Sequence, residues 1–469
     1  MIRRRAARGL VFILWTSFLV AQSTVVLQNH SDAALAPMGA GSQASAAAPG
    51  RVPHTFPNAP TPRPRLRLTL KQAEALAIRN NPQITGARLQ ALASQQVVRE
   101  ARSSYWPTAD ANFTAVDSHN NSRITAGGLN NPIIFERAAG GLTVSQQIAD
   151  FGHTSNLVAS ASFSAKAQDQ NALATRQQVV LAVDQAFFNV LQAQAVLRVA
   201  DQTVNNRQVV VDQVEALTKS ALKSELDLSF AQVNLAQAKL LVLDAQNNEK
   251  SAQAGLAALL GYVVPQEFDP VDESGALSPP SGNLDELIEE AVNSRPELQA
   301  IGYQYQSAEK LKTAERDAMF PTISALAAVG GAPVRDDRLT PWYGAAGVNL
   351  QIPIFNGFLY SARAKEADLR AQADQQRLID MRDSIAKDVR TSWLNANTAY
   401  DRLDVTNQLL KQANLALDLS QTRYKLGLAS IVELSQAQLQ QTQAEISQSQ
   451  AGYEYRLALS VLRYQIGGF

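Results

Sequence analysis

Apolar residues recur at seven-residue spacing through two long stretches of the chain. Val183, Val190, Leu197, Val204 and Val211 form one column, and Val389, Ala396, Leu403, Leu410, Leu417 and Tyr424 form another. That period belongs to helices that lie along one another. No proline falls between 154 and 264 or after 353, so nothing breaks these helices, and residues 154–219 would span about 100 Å. Three positions past the second column, Ser392, Ala399, Thr406, Ala413 and Ser420 are all small. The returning segments carry Ala231, Ala238, Ala245 and Ala252, then Ala437, Ala444, Ala451 and Ala458, again every seventh residue. Small residues at this spacing predict helix axes that approach closely, and the Gln and Asn between them suit faces that meet water. Extended coiled-coil contacts are expected in place of a compact bundle.

The chain is also duplicated. TLKQAEALAIRNNPQI at 69–84 is echoed by NLDELIEEAVNSRPEL at 283–298, which sets Pro82 on Pro296 and Pro107 on Pro321. From Asp150 to Gly261 the match continues without a gap at an offset of 206, pairing Val183 with Val389, Asn189 with Asn395, Gln232 with Gln438 and Gly261 with Gly467. One unit, 66–282, is thus repeated as 283–469, with a loop of different length between Pro107 and Asp150 and its counterpart. Each unit opens with helical spacing, at 70–103 and 284–317, where Pro82 and Pro296 fit a first helical turn. The period then falls to two. In GVNLQIPI at 347–354, Val348, Leu350, Ile352 and Ile354 alternate with other residues, and in GLTVSQQI at 141–148 Leu142, Val144 and Ile148 do the same. Strands are expected at about 108–117, 138–149, 322–331 and 343–355, the first and third being small and less regular in composition. Their length of about ten residues is what a tilted membrane strand needs. A soluble hairpin packed on helices fits the same alternation. Strands in lipid cannot leave edges unpaired, so the membrane reading requires several chains.

Composition narrows the function. The chain has 469 residues, 46% hydrophobic and 18% charged, with 42 basic and 42 acidic residues, so no basic field draws in nucleic acid. There is no cysteine, and the four histidines, His30, His54, His119 and His153, lack metal-motif spacing. Neither a metal centre nor a cofactor is expected. No G-x-x-x-x-G-K-[ST], H-E-x-x-H or G-x-S-x-G motif occurs, so an enzyme is not expected. Arg3, Arg4, Arg5 and Arg8 precede the apolar run at 9–21; this reads as a signal peptide over 1–23, a membrane anchor being the alternative for a run short of about 20 residues. An Ala/Pro/Ser-rich flexible leader follows at 24–65. No later run is expected to span a membrane as a helix, which leaves strands for that role.

The ordered, duplicated pattern of helix, hairpin, long helix and return helix resembles the TolC-type outer-membrane efflux proteins. The resemblance covers about 66–469 and rests on ALAIRNNPQI, SYWPT, LQIPIFNGF at 350–358 and the turn YKLGLASIVELSQAQ. It implies a mainly α fold with a β-barrel portion, built as a homotrimer whose three chains close a 12-stranded barrel in outer-membrane lipid of a Gram-negative-type bacterium. A 12-helix coiled-coil tunnel would continue across the periplasm. It also implies a passive exit duct for a tripartite efflux or type I secretion system, with a periplasmic adaptor protein and, through it, an inner-membrane pump or ABC exporter. The competing reading is a periplasmic coiled-coil structural protein without a pore.

The helix turns at LTKSALKSELDL (217–228) and RYKLGLASIVEL (423–434) are the candidate site. Gly427 fits a left-handed helix end, with Ala221 at the matching place. Asp227 and Glu433 fall on the first turn of the return helices, where a carboxylate suits the helix dipole. The resemblance implies a second role, a ring of these carboxylates around a periplasmic aperture, with Tyr424 holding the closed state. Ala221, Leu222, Gly427 and Leu428 would meet the adaptor, although Leu222 and Leu428 also suit a contact internal to the turn. Two departures from the family pattern, Ala429 in place of a basic residue and Gln436 in place of an acidic one, predict a different or weaker latch. A lipidated N-terminal cysteine, common among relatives, is missing.

Overall fold

The computed structural model describes residues 66–116, 125–126, 129–130, 137–262, 268–272, 275, 277–334 and 340–468. The expectations for 1–23 and 24–65 lie outside them. In chain order the elements are β1 (Leu66–Leu68), α1 (Leu70–Asn80), α2 (Pro82–Ser103), β2 (Thr108–Val116), β3 (Thr125–Ala126), β4 (Leu129–Asn130), β5 (Arg137–Ala149), α3 (His153–Lys219) and α4 (Glu225–Leu259). The second half gives β6 (Phe268–Pro270), α5 (Leu284–Ser294), α6 (Pro296–Asp317), β7 (Thr322–Val334), β8 (Trp342–Gln351), α7 (Leu359–Lys425) and α8 (Ile431–Ile466).

Pro82 and Pro296 each stand at the first position of a helix, after a residue held in the extended region. That is where a missing N–H costs nothing, so each opening segment is two helices, not one. The long helices α3 and α7 have 67 residues each, about 100 Å. The alanine column faces inward: Ala231, Ala238, Ala245, Ala437, Ala444 and Ala451 are all buried. With only a methyl group at each contact, α4 and α8 lie close on α3 and α7. One window of α3 is apolar enough to cross a membrane, contrary to the expectation that none would be, but half of it is buried against neighbouring elements. Its apolarity serves the helix packing.

Four long strands form one antiparallel sheet in the order β2-β5-β7-β8. The registers place Ala111, Leu142, Val329 and Gly344 in one row and Ala325 opposite Val348 on the same face. Phe113, Leu142, Val144, Val329, Trp342, Val348 and Leu350 all project from that face, and all are exposed. The opposite face carries Thr108, Asp110, Asn112, Thr143, Ser145, Ser324, Asn349 and Gln351. On it the Tyr343 ring lies across Gly141 and Gly330, where any Cβ would collide with it. Alternation predicts the last strand to reach 355. It stops at Gln351 because Pro353 has no N–H to extend the ladder, and Ile352 and Ile354 lie beyond it, exposed.

A parallel pair, β1 with β6, ties the two ends of the first unit together. Gln253 donates to the Phe268 carbonyl at 2.8 Å and accepts from its N–H at 3.1 Å, and Leu68 and Phe268 are fully buried with Val183, Phe187 and Leu256. Next to this core, Asp184 is fully buried on α3. Among the described residues neither of its oxygens has a well-formed hydrogen bond, and Glu74 of α1 with Ser460 and Arg463 of α8 face it. Burial, ahead of every other cause, pushes its carboxyl up to about 7.

Candidate functional site

At the far ends of α3 and α7 the chain reverses in two matching turns. Leu222 N–H donates to the Leu217 carbonyl at 2.9 Å and Ala221 N–H to that of Thr218 at 2.9 Å; Leu428 and Gly427 repeat this to Arg423 at 2.8 Å and Tyr424 at 3.1 Å. Both turns are Schellman caps, which need a left-handed residue after the helix. Gly427 supplies it at φ 75°, and Ala221 adopts the same conformation at φ 58°. A Cβ at Gly427 would meet open space, so only backbone strain separates alanine from glycine here. Gly427→Ala is expected to cost about 1 kcal/mol, read as roughly fivefold faster amide hydrogen exchange at the second turn. Ala221→Gly should slow exchange at the first turn by less, since glycine also gives up more chain entropy. Unchanged exchange in both variants would contradict the cap assignment.

The return helices start on Ser224 and Ser430, and here the turns diverge. Ser224 and Asp227 form a reciprocal capping box, with Asp227 N–H donating to Ser224 Oγ at 3.2 Å and Ser224 N–H donating to the Asp227 carboxylate at 3.1 Å. Ser430 accepts from Glu433 N–H at 3.3 Å, but the Glu433 carboxylate turns to Arg423, 3.2 Å away. Arg423 also reaches the Leu428 carbonyl at 3.4 Å. The family pattern has a basic residue just after the turn, where this chain has Ala429; the basic partner of Glu433 stands before the turn instead, on α7. Its repeat mate is Leu217, so the first turn has no equivalent clamp.

Tyr424 lies buried between the two helical hairpins, packed with Val211, Val214, Leu235, Ile431 and Leu434. Lys223 Nζ stands 4.0 Å from its ring centroid, a cation-π contact across the hairpins. The phenol is raised above its ordinary pKa, by burial first and by the charge of Asp227 second, and its hydroxyl has no hydrogen-bond partner among the described residues. Asn234 of α4 donates to Ser435 of α8 at 2.7 Å, a further bridge between hairpins. Asp227, Lys223 and Tyr424 are thus one cluster, and Glu433 belongs to a separate ion pair. Leu222 and Leu428 are 69% and 68% exposed, so neither closes an apolar contact within its turn. Sequence reasoning missed Lys223 and Arg423. The only signal for Arg423 was its mismatch with Leu217 across the duplication.

The family model for "Outer membrane efflux protein" matches residues 75–262 and 287–468. The outer membrane protein TolC of Vibrio cholerae is 24% identical over 400 residues, 83% of this chain and 88% of that one. The pyoverdine export outer membrane protein OpmQ of Pseudomonas aeruginosa is 28% identical over 319 residues, 64% of this chain and 63% of that one. Among solved structures, a membrane protein from Pseudomonas aeruginosa superposes with a TM-score of 0.75 at 21% identity, covering 85% of this chain and 93% of that one.

Proposed function

Because the chain belongs to the outer membrane efflux protein family, we propose that it is the passive exit duct of a tripartite efflux or type I secretion system in the outer membrane. Three copies would close a 12-stranded barrel, edge β8 of one chain pairing with β2 of the next, and twelve helices would form the periplasmic tunnel. A periplasmic adaptor would dock on the turns at Ala221, Leu222, Gly427 and Leu428 and link the duct to an inner-membrane pump. The observation that carries this reading is the sheet, whose exposed apolar face suits lipid while its polar face suits a wet lumen. Among the described residues its two outer strands, β2 and β8, each lack a partner on one edge, and lipid does not tolerate such edges. A periplasmic coiled-coil protein without a pore would have to leave that apolar face in water.

Six carboxylates, Asp227 and Glu433 from each chain, would ring the aperture and favour cations, and Tyr424 would hold the hairpins together in the closed state. The protein in a planar bilayer should then conduct in discrete, cation-preferring steps. Replacing both carboxylates, Asp227→Asn with Glu433→Gln, should lower the preference. Unchanged selectivity would remove the aperture assignment, and no conductance at all would remove the duct.

A further inference from the structure

Between α3 and the α7–α8 hairpin, above the turns, lies a cavity of about 320 Å³ lined by residues from Thr203 to Leu217, from Leu417 to Lys425 and from Leu434 to Thr442, together with Lys223. Its charges have one sign. Arg207, Lys223 and Lys425 line it, and among the described residues no Asp or Glu does. Arg207 is 9% exposed. Its guanidinium donates to the Thr442 hydroxyl at 3.3 Å, and among the described residues no carboxylate forms an ion pair with it. Burial alone pulls its pKa down to about 10, so it remains charged at neutral pH. Burial strips part of the water from this cation without supplying a counter-ion, and of its five N–H donors one is used, on Thr442, which leaves others open toward the cavity. The duplication does not explain it, because Ala413 occupies the matching place. The rest of the wall divides into an apolar strip, including Val210, Val214, Leu417 and Leu434, and neutral donors such as Asn206, Gln438 and Gln441.

We propose that this cavity is a binding site for a small amphipathic anion, with its acidic head on Arg207 and its apolar body along the Val210–Val214–Leu417–Leu434 strip toward the turns. The volume is that of a small ligand pocket, and an occupant would contact both hairpins beside Tyr424. Nothing in this assignment depends on barrel closure or on the identity of the exported substrate.

Calorimetric titration of the full-length protein in amphipol with naphthalene-2-sulfonate tests it. Saturable binding at one site per chain is expected, at least about tenfold tighter than for the uncharged isostere naphthalene-2-methanol, a gap of about 1.4 kcal/mol. Arg207→Gln should abolish that preference, and Arg207→Lys should restore part of it. No saturable binding of the sulfonate up to millimolar concentration, or equal binding of sulfonate and alcohol, would overturn the proposal, and neither comparison needs a variant. A sulfonate preference that survives Arg207→Gln would place the anion elsewhere and overturn it as well.

Discussion

Val348→Arg, a single change on the apolar face of β8, is expected to deplete the protein from the outer membrane, while Asn349→Arg one residue on is not. Val348 is 71% exposed and shares its face with Leu350, Leu142 and Val329. An arginine facing lipid near the bilayer midplane costs about 2–4 kcal/mol and near an interface about 0–1. At Asn349 the same side chain would project from the polar face, where water can solvate it. The measurement is the yield of folded protein in the outer-membrane fraction, with urea unfolding of whatever inserts. Equal loss in both variants would mean that the two faces do not separate lipid from water, and the alternation would then be that of a soluble hairpin.

Asp184→Asn should flatten the pH dependence of stability and leave the protein more stable than its parent at pH 8. The folded carboxyl titrates near 7, against 3.8 for the ordinary group. Between those values the folded state keeps a proton that the unfolded state has lost, so this residue lowers stability as pH rises from about 4 to 7, and the loss is complete above 7. Each pH unit of that gap is worth about 1.4 kcal/mol, which puts the full effect at roughly 4 kcal/mol. An amide stays neutral throughout and still offers a donor to Glu74. Guanidinium midpoints at pH 4.5 and pH 8 read the difference: the variant's gain should be large at pH 8 and small at pH 4.5. Parallel profiles would show that the buried carboxyl is ionised at neutral pH.

The long-range plan of the molecule was legible because it is written in period. Seven-residue columns over many turns mark helices that no local exception can hide, and Pro82, Pro296 and Gly427 mark ends whose backbone demands are specific. The apolar face of the sheet was visible in Val348 and Leu350 for the same reason. Short features were not. The β1–β6 pair has three residues in each strand, too few for any period, and its burial depends on Gln253 and on helices far along the chain. The turns were found, but their partners were not. Glu433 meets Arg423 only after α7 has reversed into α8, and the sequence marked Arg423 only by its mismatch with Leu217 across the duplication. Arg207 was hidden further still, since Thr442 and the helix that buries it lie 235 residues away. A polar residue among Asn206, Gln208 and Asn205 looks solvated until that second hairpin is in place.

The central claim is that this chain closes a barrel only with copies of itself. Native mass measurement of the protein extracted from the outer-membrane fraction tests it most directly. A mass of three chains is predicted; a monomer, or recovery of the protein from the soluble periplasmic fraction, would contradict the account.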